Sequence, residues 1–383
     1  MPPKGVPLGE CPARSFLKGS ATFECLPNSN QSWRHFISNA NEAVSAPVGS
    51  VSGNAQPKAA IDRRVIPPAA SESTWQTADG HELRRIDWPG TDGGTGAAAG
   101  SDSAVRGSIL FLPGRGDAYE KYLETLEEWH RDGWRVTASD WRGQAGSGRL
   151  GQDPVTGHID DFLTWVDDLE HIWKRWITEV PGPHILAGHS MGGHLIMRTL
   201  VEGRIAPDAV VMSAPMLGMN GPPLPLPALH AVARMMTKIG ERTRQAWKWS
   251  EKPGELPKHR SALLTHDDDR YADEQFWREK RPELVMGPAS WGWVERAYAS
   301  WRALEAPGAL EKVDVPVLIV STSSDKLVSH SANQRASERL PAGRIFEFGD
   351  EAAHEILREV DDVRDRMMDE ISTFLDEVAP ARA

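Results

Sequence analysis

Gly188-His189-Ser190-Met191-Gly192-Gly193 is the stretch whose residue types and spacing could do covalent chemistry. A serine flanked by glycines two residues away on each side fits a sharp strand-to-helix turn that lifts its hydroxyl to the end of a sheet. Bulk at Gly188 or Gly192 would collide with the neighbouring strand and helix. The amide of Met191 then faces the place where an oxyanion would form. His184–Ala187 before it reads as the start of a strand and Met191–Val201 after it as a helix. That context favours an activated nucleophile over a plain glycine-rich turn.

A serine nucleophile needs a base to take its proton and an acid to orient that base. On a sheet of this kind they follow in the order Ser, Asp or Glu, His. Asp325, in Ser323-Ser324-Asp325-Lys326, comes just after the strand pattern Val315–Ser321. His354, in Gly349-Asp350-Glu351-Ala352-Ala353-His354, comes just after Arg344–Phe348. Both would stand on the same sheet edge as Ser190. Asp350 and His330 are the alternatives for acid and base. Asp350 is only four residues from His354 and reads as a loop or capping residue; His330 is five from Asp325 and reads as part of the next helix. A second oxyanion donor is expected from the loop Pro113-Gly114-Arg115-Gly116-Asp117, where Gly114 permits the bend and Arg115 supplies its amide. Arg115-Gly116-Asp117 also spells a cell-adhesion tripeptide, an accident in a chain that shows no secretion signal.

The elements that must position these residues alternate. Ser73–Thr77 and Glu82–Trp88 flank Asp79-Gly80 as a hairpin. Short apolar runs at Ser108–Leu112, Trp134–Ser139, His184–Ala187, Ala209–Met212, Val315–Ser321 and Arg344–Phe348 read as strands. Helical patterns at Tyr119–His130, Ile159–Ile177, Met191–Val201 and Glu355–Val378 separate or follow them. Such alternation predicts an α/β fold with a mostly parallel central sheet and helices on both faces. Ligands then bind at the carboxyl ends of the strands. About 100 residues between Ser213 and Val315 lack a buried strand, too many for a loop. Residues 215–305 are therefore expected to be a helical cap inserted into a core of residues 71–214 and 306–383. Trp247, Trp249, Trp291 and Trp293 in the cap are candidate walls of a substrate pocket, with Met216, Met219, Met235 and Met236 as adaptable neighbours. Residues 1–70 are rich in Pro, Gly, Ser, Ala and Asn and read as a disordered extension, or as a misassigned start. Gly90–Ala104 reads as a flexible loop.

Composition narrows the field. The 383 residues carry a net charge of −11, which disfavours nucleic-acid binding through a global basic field. Only two cysteines occur, Cys11 and Cys25, so a disulfide framework and cysteine-rich metal sites are not expected. No apolar run reaches the length of a membrane span, and the start lacks a signal-peptide pattern, so the cytoplasm is the expected compartment. Peripheral contact with lipid stays open, as does oligomeric state. Other motif matches are weak. Gly146-Ser147-Gly148-Arg149-Leu150-Gly151 fits a dinucleotide fingerprint but does not abut its strand. His266-Asp267-Asp268-Asp269 could ligate a metal but reads as a solvated loop. Glu120, Glu124, Glu127 and Glu128 fall on a helical surface and need no function.

With the elbow, the ordered Asp and His, and the loop at Gly114 in place, residues 73–378 resemble the α/β-hydrolase superfamily. Within it they resemble the monoacylglycerol lipases and lysophospholipases. The pattern Asp-x-x-Gly-His-Gly-x-Ser after a strand appears as Asp140-Trp141-Arg142-Gly143-Gln144-Ala145-Gly146-Ser147, and His158-Ile159-Asp160-Asp161-Phe162 matches the next landmark. Two departures stand out: Pro113-Gly114 replaces His-Gly, and Gly143-Gln144-Ala145 replaces Gly-His-Gly. The resemblance implies a serine ester hydrolase in which Ser190 attacks an acyl carbonyl, His354 carries the proton and Asp325 holds His354. Neither cofactor nor metal is implied. A monoacylglycerol or lysophospholipid substrate is implied, and the Trp- and Met-rich insertion suits an apolar acyl chain. A small-ester carboxylesterase and a catalytically silent hydrolase-fold binding protein are the rival readings. Serine at the elbow speaks against reactions that use a carboxylate nucleophile.

Overall fold

The computed structural model describes residues 60–90, 105–221, 224–248 and 258–380. Cys11, Cys25, all but Gly90 of the loop expected at Gly90–Ala104, Trp249 and most of the expected N-terminal extension lie outside them. The sheet begins with a hairpin, β1 (Ser71–Gln76) and β2 (Glu82–Trp88), paired antiparallel with Trp75 opposite Leu83. Its turn needs the left-handed backbone that Gly80 adopts at φ 83°. After β3 (Gly107–Leu112) a short 3-10 turn, Tyr119–Tyr122, leads into α1 (Leu123–Arg131), and β4 (Trp134–Ser139) follows. Then come α2 (Phe162–Glu179), β5 (His184–His189), α3 (Met191–Val201) and β6 (Ala209–Ser213). Among the described residues, four helices intervene before the sheet resumes: α4 (Leu226–Lys238), α5 (Lys258–Leu264), α6 (Asp268–Lys280) and α7 (Trp291–Glu305). The chain ends with β7 (Val317–Thr322), α8 (His330–Arg339), β8 (Gly343–Phe348) and α9 (Asp361–Val378).

The eight strands lie in the order β1-β2-β4-β3-β5-β6-β7-β8. Pairings from β4 through β8 are parallel; β2 joins β4 antiparallel, with Trp88 opposite Val136. Every residue of β3, β6 and β7 is buried, as expected for parallel strands covered on both faces. Ile109, Leu110, Phe111, Ile185, Leu186, Val317, Leu318 and Ile319 are at most 1% exposed. Each such side chain contributes about 1.5–3 kcal/mol of burial. On α2 the buried set Phe162, Trp165, Val166, Leu169, Ile172, Trp173 and Trp176 follows the helical period, so one face packs inward. Helix α3 packs on β5 and β6, and α9 on β6 and β7. Strand ends are thereby held in register along one edge.

Several boundaries differ from the sequence expectation. Helix α2 starts at Phe162 rather than Ile159, because Asp161 is extended and caps it by accepting from the amide of Leu163. The expected helix Glu355–Val378 is interrupted: a 3-10 turn at Ile356–Arg358 precedes α9. Buried groups there, Glu355 and Glu359, fix a loop instead of a continuous helix. Residues 60–70, assigned to the extension, are tied to α6. Arg63 Nε and Arg64 Nε donate to Asp273 at 2.5 and 2.7 Å, and Trp277 Nε1 donates to the Arg63 carbonyl at 2.9 Å. The acidic run from Glu120 to Glu128, on the 3-10 turn and α1, is held by partners from distant segments. Glu120 pairs with Arg84 and Arg281, Glu124 with Arg270 and Glu128 with Arg364, while Glu127 accepts from Trp88 Nε1 at 2.8 Å. Among the described residues no helix is long and apolar enough to cross a membrane.

Candidate active site

Ser190 joins β5 to α3 at φ 50° and ψ −114°, a conformation rare outside glycine. Its strain is held by the backbone: its amide donates to Ser213 O at 3.0 Å, and its carbonyl accepts from Met216 at 2.9 Å. The flanking glycines are steric requirements. A Cβ on Gly192 would sit 2.1 Å from the Leu112 carbonyl oxygen, and one on Gly188 would sit 2.8 Å from the amide of Gly193. Met191 is the first residue of α3, so its amide belongs to the positive end of the helix.

Asp325 lies past the end of β7 and His354 past the end of β8. His354 Nε2 is 3.0 Å from Ser190 Oγ, and His354 Nδ1 is 2.7 Å from Asp325 Oδ2. The other Asp325 oxygen accepts from the amides of Leu327 and Val328 at 2.8 and 2.9 Å. Burial opposes the Asp325 charge, but the adjoining His354 ring and these amides hold its pKa below the usual carboxylate value. Asn220 Nδ2 donates to the carbonyls of Asp325 and Val328, fixing the loop. The alternatives point elsewhere: Asp350 is exposed, and His330 Nδ1 contacts Ser321 Oγ while its Nε2 pairs with Glu347.

The loop after β3 is clamped from beside it. Gly116 donates its amide to Gln144 Oε1 at 2.7 Å, and Gln144 Nε2 reaches the Gly114 carbonyl at 3.5 Å. This gives a structural use to the glutamine that marks a departure from the resembled pattern. Asp117 of the adhesion-like tripeptide is buried, bound to Lys121, Tyr122 Oη and His189 Nδ1 at 2.8, 2.6 and 3.2 Å. The ring of His189 lies 4.8 Å from that of His354.

Ser190 and His354 open onto a cavity of about 400 Å³, which Gly114 and Arg115 also line. Met191 is fully buried and does not line it. Much of the wall is apolar, including Met216, Met219, Trp247, Leu263, Met286 and Trp293. Part is charged: Arg115, Asp117, Lys121, Arg260, Arg278 and Glu355. Trp247 and Trp293 thus stand where the sequence suggested a pocket, but Trp291 does not. Two residues along a helix turn the side chain by just over half a revolution, so Trp293 faces the cavity while Trp291 lies by the Arg244 guanidinium, 5.5 Å away. Lys121, Arg260 and Arg278 were missed by sequence reasoning, which found nothing to separate them from ordinary surface cations. His266 and its acids are not a metal centre: His266 pairs with Glu359, and Asp267 caps α6. Among the described residues no three His, Cys, Asp or Glu side chains are grouped to hold a metal ion. Ser147, in the discarded fingerprint, accepts from the amide of Arg84 within a tight turn.

Comparison with known proteins agrees with this architecture. The family model described as serine aminopeptidase, S33, matches residues 103–361. Lysophospholipase L2 of Escherichia coli K12 is 30% identical over 284 residues, 70% of this chain and 79% of that protein. A probable lysophospholipase L2 of Haemophilus influenzae is 26% identical over 282 residues, 72% of this chain and 85% of the other. A soluble variant of monoglyceride lipase from Saccharomyces cerevisiae superposes with a TM-score of 0.63 at 16% identity, covering 83% of this chain and 97% of that one. A thermostable carboxyl esterase from Bacillus coagulans gives 0.61 at 18% identity, covering 82% and 99%. At such identities the superpositions speak for the fold alone. The family match, by contrast, spans β3 through the loop that carries His354, and on that basis the chain belongs to the serine aminopeptidase S33 family of α/β-hydrolases.

Proposed function

We propose that this protein is a carboxylic ester hydrolase acting on esters with an apolar acyl chain, of the lysophospholipid or monoacylglycerol type. The observation that carries the reading is the unbroken chain from Asp325 through His354 to Ser190, opening on a largely apolar cavity. Ser190 Oγ attacks the acyl carbonyl as His354 Nε2 takes its proton, and Asp325 holds the tautomer and stabilises the imidazolium. The amides of Arg115 and Met191 accept the oxyanion as hydrogen-bond donors. The tetrahedral intermediate collapses when His354 protonates the departing alcohol oxygen, leaving an acyl group on Ser190. Water, deprotonated by His354, then releases the acid. No step needs a cofactor.

Residues 215–305 act in this reading as a cap that holds the acyl chain, with Met216, Met219, Trp247 and Trp293 as its walls. The names of the curated relatives, lysophospholipases, agree with it. An aminopeptidase would need a carboxylate to receive the substrate amine. Among the described residues, the two that line the cavity, Asp117 and Glu355, are already paired to Lys121 at 2.8 and 2.5 Å. Ester hydrolysis is therefore the better fit.

The test is kcat/KM for p-nitrophenyl esters from acetate to palmitate. Each buried methylene is worth about 0.8 kcal/mol, so specificity should climb with chain length until the cavity is full. A steep fall from acetate onward would replace this reading with a small-ester carboxylesterase.

A further inference from the structure

Asp117 ends the tripeptide Arg115-Gly116-Asp117, and the reaction as written gives its carboxylate no role. The side chain is buried, and its two oxygens engage different neighbours. Oδ2 accepts from Tyr122 Oη at 2.6 Å and from the Gly114 amide at 3.4 Å, and lies 3.2 Å from His189 Nδ1. Oδ1 pairs with Lys121 Nζ at 2.8 Å. Burial opposes the Asp117 charge, but Lys121 and then His189 hold its carboxyl well below the usual range. A phenol has one proton, and that of Tyr122 goes to Asp117. Tyr122 Oη, 2.8 Å from His189 Nδ1, is then an acceptor, as is the carboxylate. His189 Nδ1 therefore carries a proton and donates, and the orientation of its ring is fixed by Asp117 and Tyr122 together.

Each partner of this carboxylate leads to a different part of the reaction centre. His189 is the last residue of β5 and precedes Ser190, and its ring lies 4.8 Å from that of His354. Gly114 brings the loop that carries the Arg115 amide onto the same groups. A Cβ there would sit 3.0 Å from His189 Nδ1, 3.2 Å from Ser190 Cβ and 3.3 Å from Asp117 Oδ2. Lys121 continues to Glu355, the residue after His354, at 2.5 Å. The oxyanion loop after β3, the nucleophile after β5 and the base after β8 thus converge on one buried anion. Hydrogen bonds to an ionised group are roughly twice as strong as neutral ones, which suits a group that must hold three distant segments together.

We propose that Asp117 is a positioning residue for the hydrolysis, holding the Gly114–Arg115 loop, Ser190 and the His354 loop in mutual register through His189, Tyr122 and Lys121. Asp117 acts through these groups and exchanges no proton with the substrate. A displaced oxyanion donor or base lowers turnover without weakening substrate binding, and a shift of about 1 Å costs up to roughly 100-fold. This inference rests on the ester hydrolase reading.

The experiment measures kcat and KM for p-nitrophenyl butyrate in wild type, Asp117→Asn, His189→Leu and His189→Asn. Each kcat is counted per serine that a fluorophosphonate labels at completion, and the rate of that labelling is recorded. Asp117→Asn keeps the shape of the side chain but turns one acceptor into a donor. It should lower kcat and the labelling rate together by roughly 10- to 100-fold, with KM within about twofold. His189→Leu should lose a similar factor, and His189→Asn, whose amide donates to Asp117 as Nδ1 does, should recover most of it. A wild-type kcat per labelled serine in Asp117→Asn overturns the inference, because a merely structural carboxylate would change the amount of folded enzyme and not its rate. A raised KM at unchanged kcat also overturns it and would make Asp117 a substrate-binding group. If Asp117→Asn does not fold, the His189 pair decides, and equal rates in His189→Leu and His189→Asn overturn the inference. A wild-type protein that neither hydrolyses any ester nor takes label at Ser190 would overturn the hydrolase reading, and this inference with it.

Discussion

Around Ser190 the protein constrains its chain through the backbone, whereas across the cavity the cap works through side chains. At the elbow φ is 50°, the amide is tied to Ser213, and a methyl group on Gly192 would meet a carbonyl oxygen at 2.1 Å. No rotamer change relieves such contacts, so the position of the nucleophile tolerates little. The cap wall instead presents Met216, Met219, Met286 and two tryptophans, one of them, Trp247, 49% exposed. Methionine adapts its shape and an exposed tryptophan can be lost cheaply. Under the proposed function, this difference gives the reaction to the core and the choice of substrate to residues 215–305. Core substitutions should then lower turnover of every ester alike, and cap substitutions should change the ranking of esters.

The largest effect that tests this division is at Asp325. Asp325→Asn should lower kcat by roughly 10,000-fold on short and long esters alike, because His354 loses its tautomer lock and its imidazolium partner. Asp350→Asn, at an exposed position, should stay within about twofold. Equal losses in the two variants, or the reverse order, would move the acid elsewhere. Gln144→Ala comes next. Without the acceptor at 2.7 Å from the Gly116 amide, the loop carrying Arg115 loses its clamp. A misplaced oxyanion donor should cost roughly tenfold in kcat with little change in KM, again for all esters. A change confined to long-chain esters would show that Gln144 serves the pocket rather than the reaction. Trp247→Ala is the smallest effect and the one that should separate the regions. It should lower kcat/KM for palmitate by roughly three- to tenfold while acetate stays within about twofold. Parallel losses on both esters would break the division.

The residues differ in how readable they were, and for physical reasons. Gly188, Ser190 and Gly192 announce themselves because the elbow's demand for missing side chains is local in sequence. Asp325 and His354 were found by their places after β7 and β8, since parallel strands deliver their carboxyl ends to one edge. The start of α2 and the break before α9 were missed because caps and buried carboxylates decide them, and periodicity does not register either. The partners of the acidic run from Glu120 to Glu128 were invisible for a similar reason: Arg84, Arg270 and Arg364 come from distant segments and draw those carboxylates into ion pairs. Lys121 was invisible as a site residue because its partner Glu355 lies 234 positions away. Trp291 and Trp293 look alike in sequence, and only the phase of α7 tells them apart.

The most direct measurement of the central claim is intact-mass and peptide mapping after treatment with a fluorophosphonate. The account predicts a single adduct per chain, on the peptide that contains Ser190, formed in parallel with loss of ester hydrolysis. It also predicts that Ser190→Ala, folded by its melting curve, takes up no label and turns over several orders of magnitude more slowly. An adduct on another residue, or a folded Ser190→Ala variant that hydrolyses esters at near the wild-type rate, would contradict it.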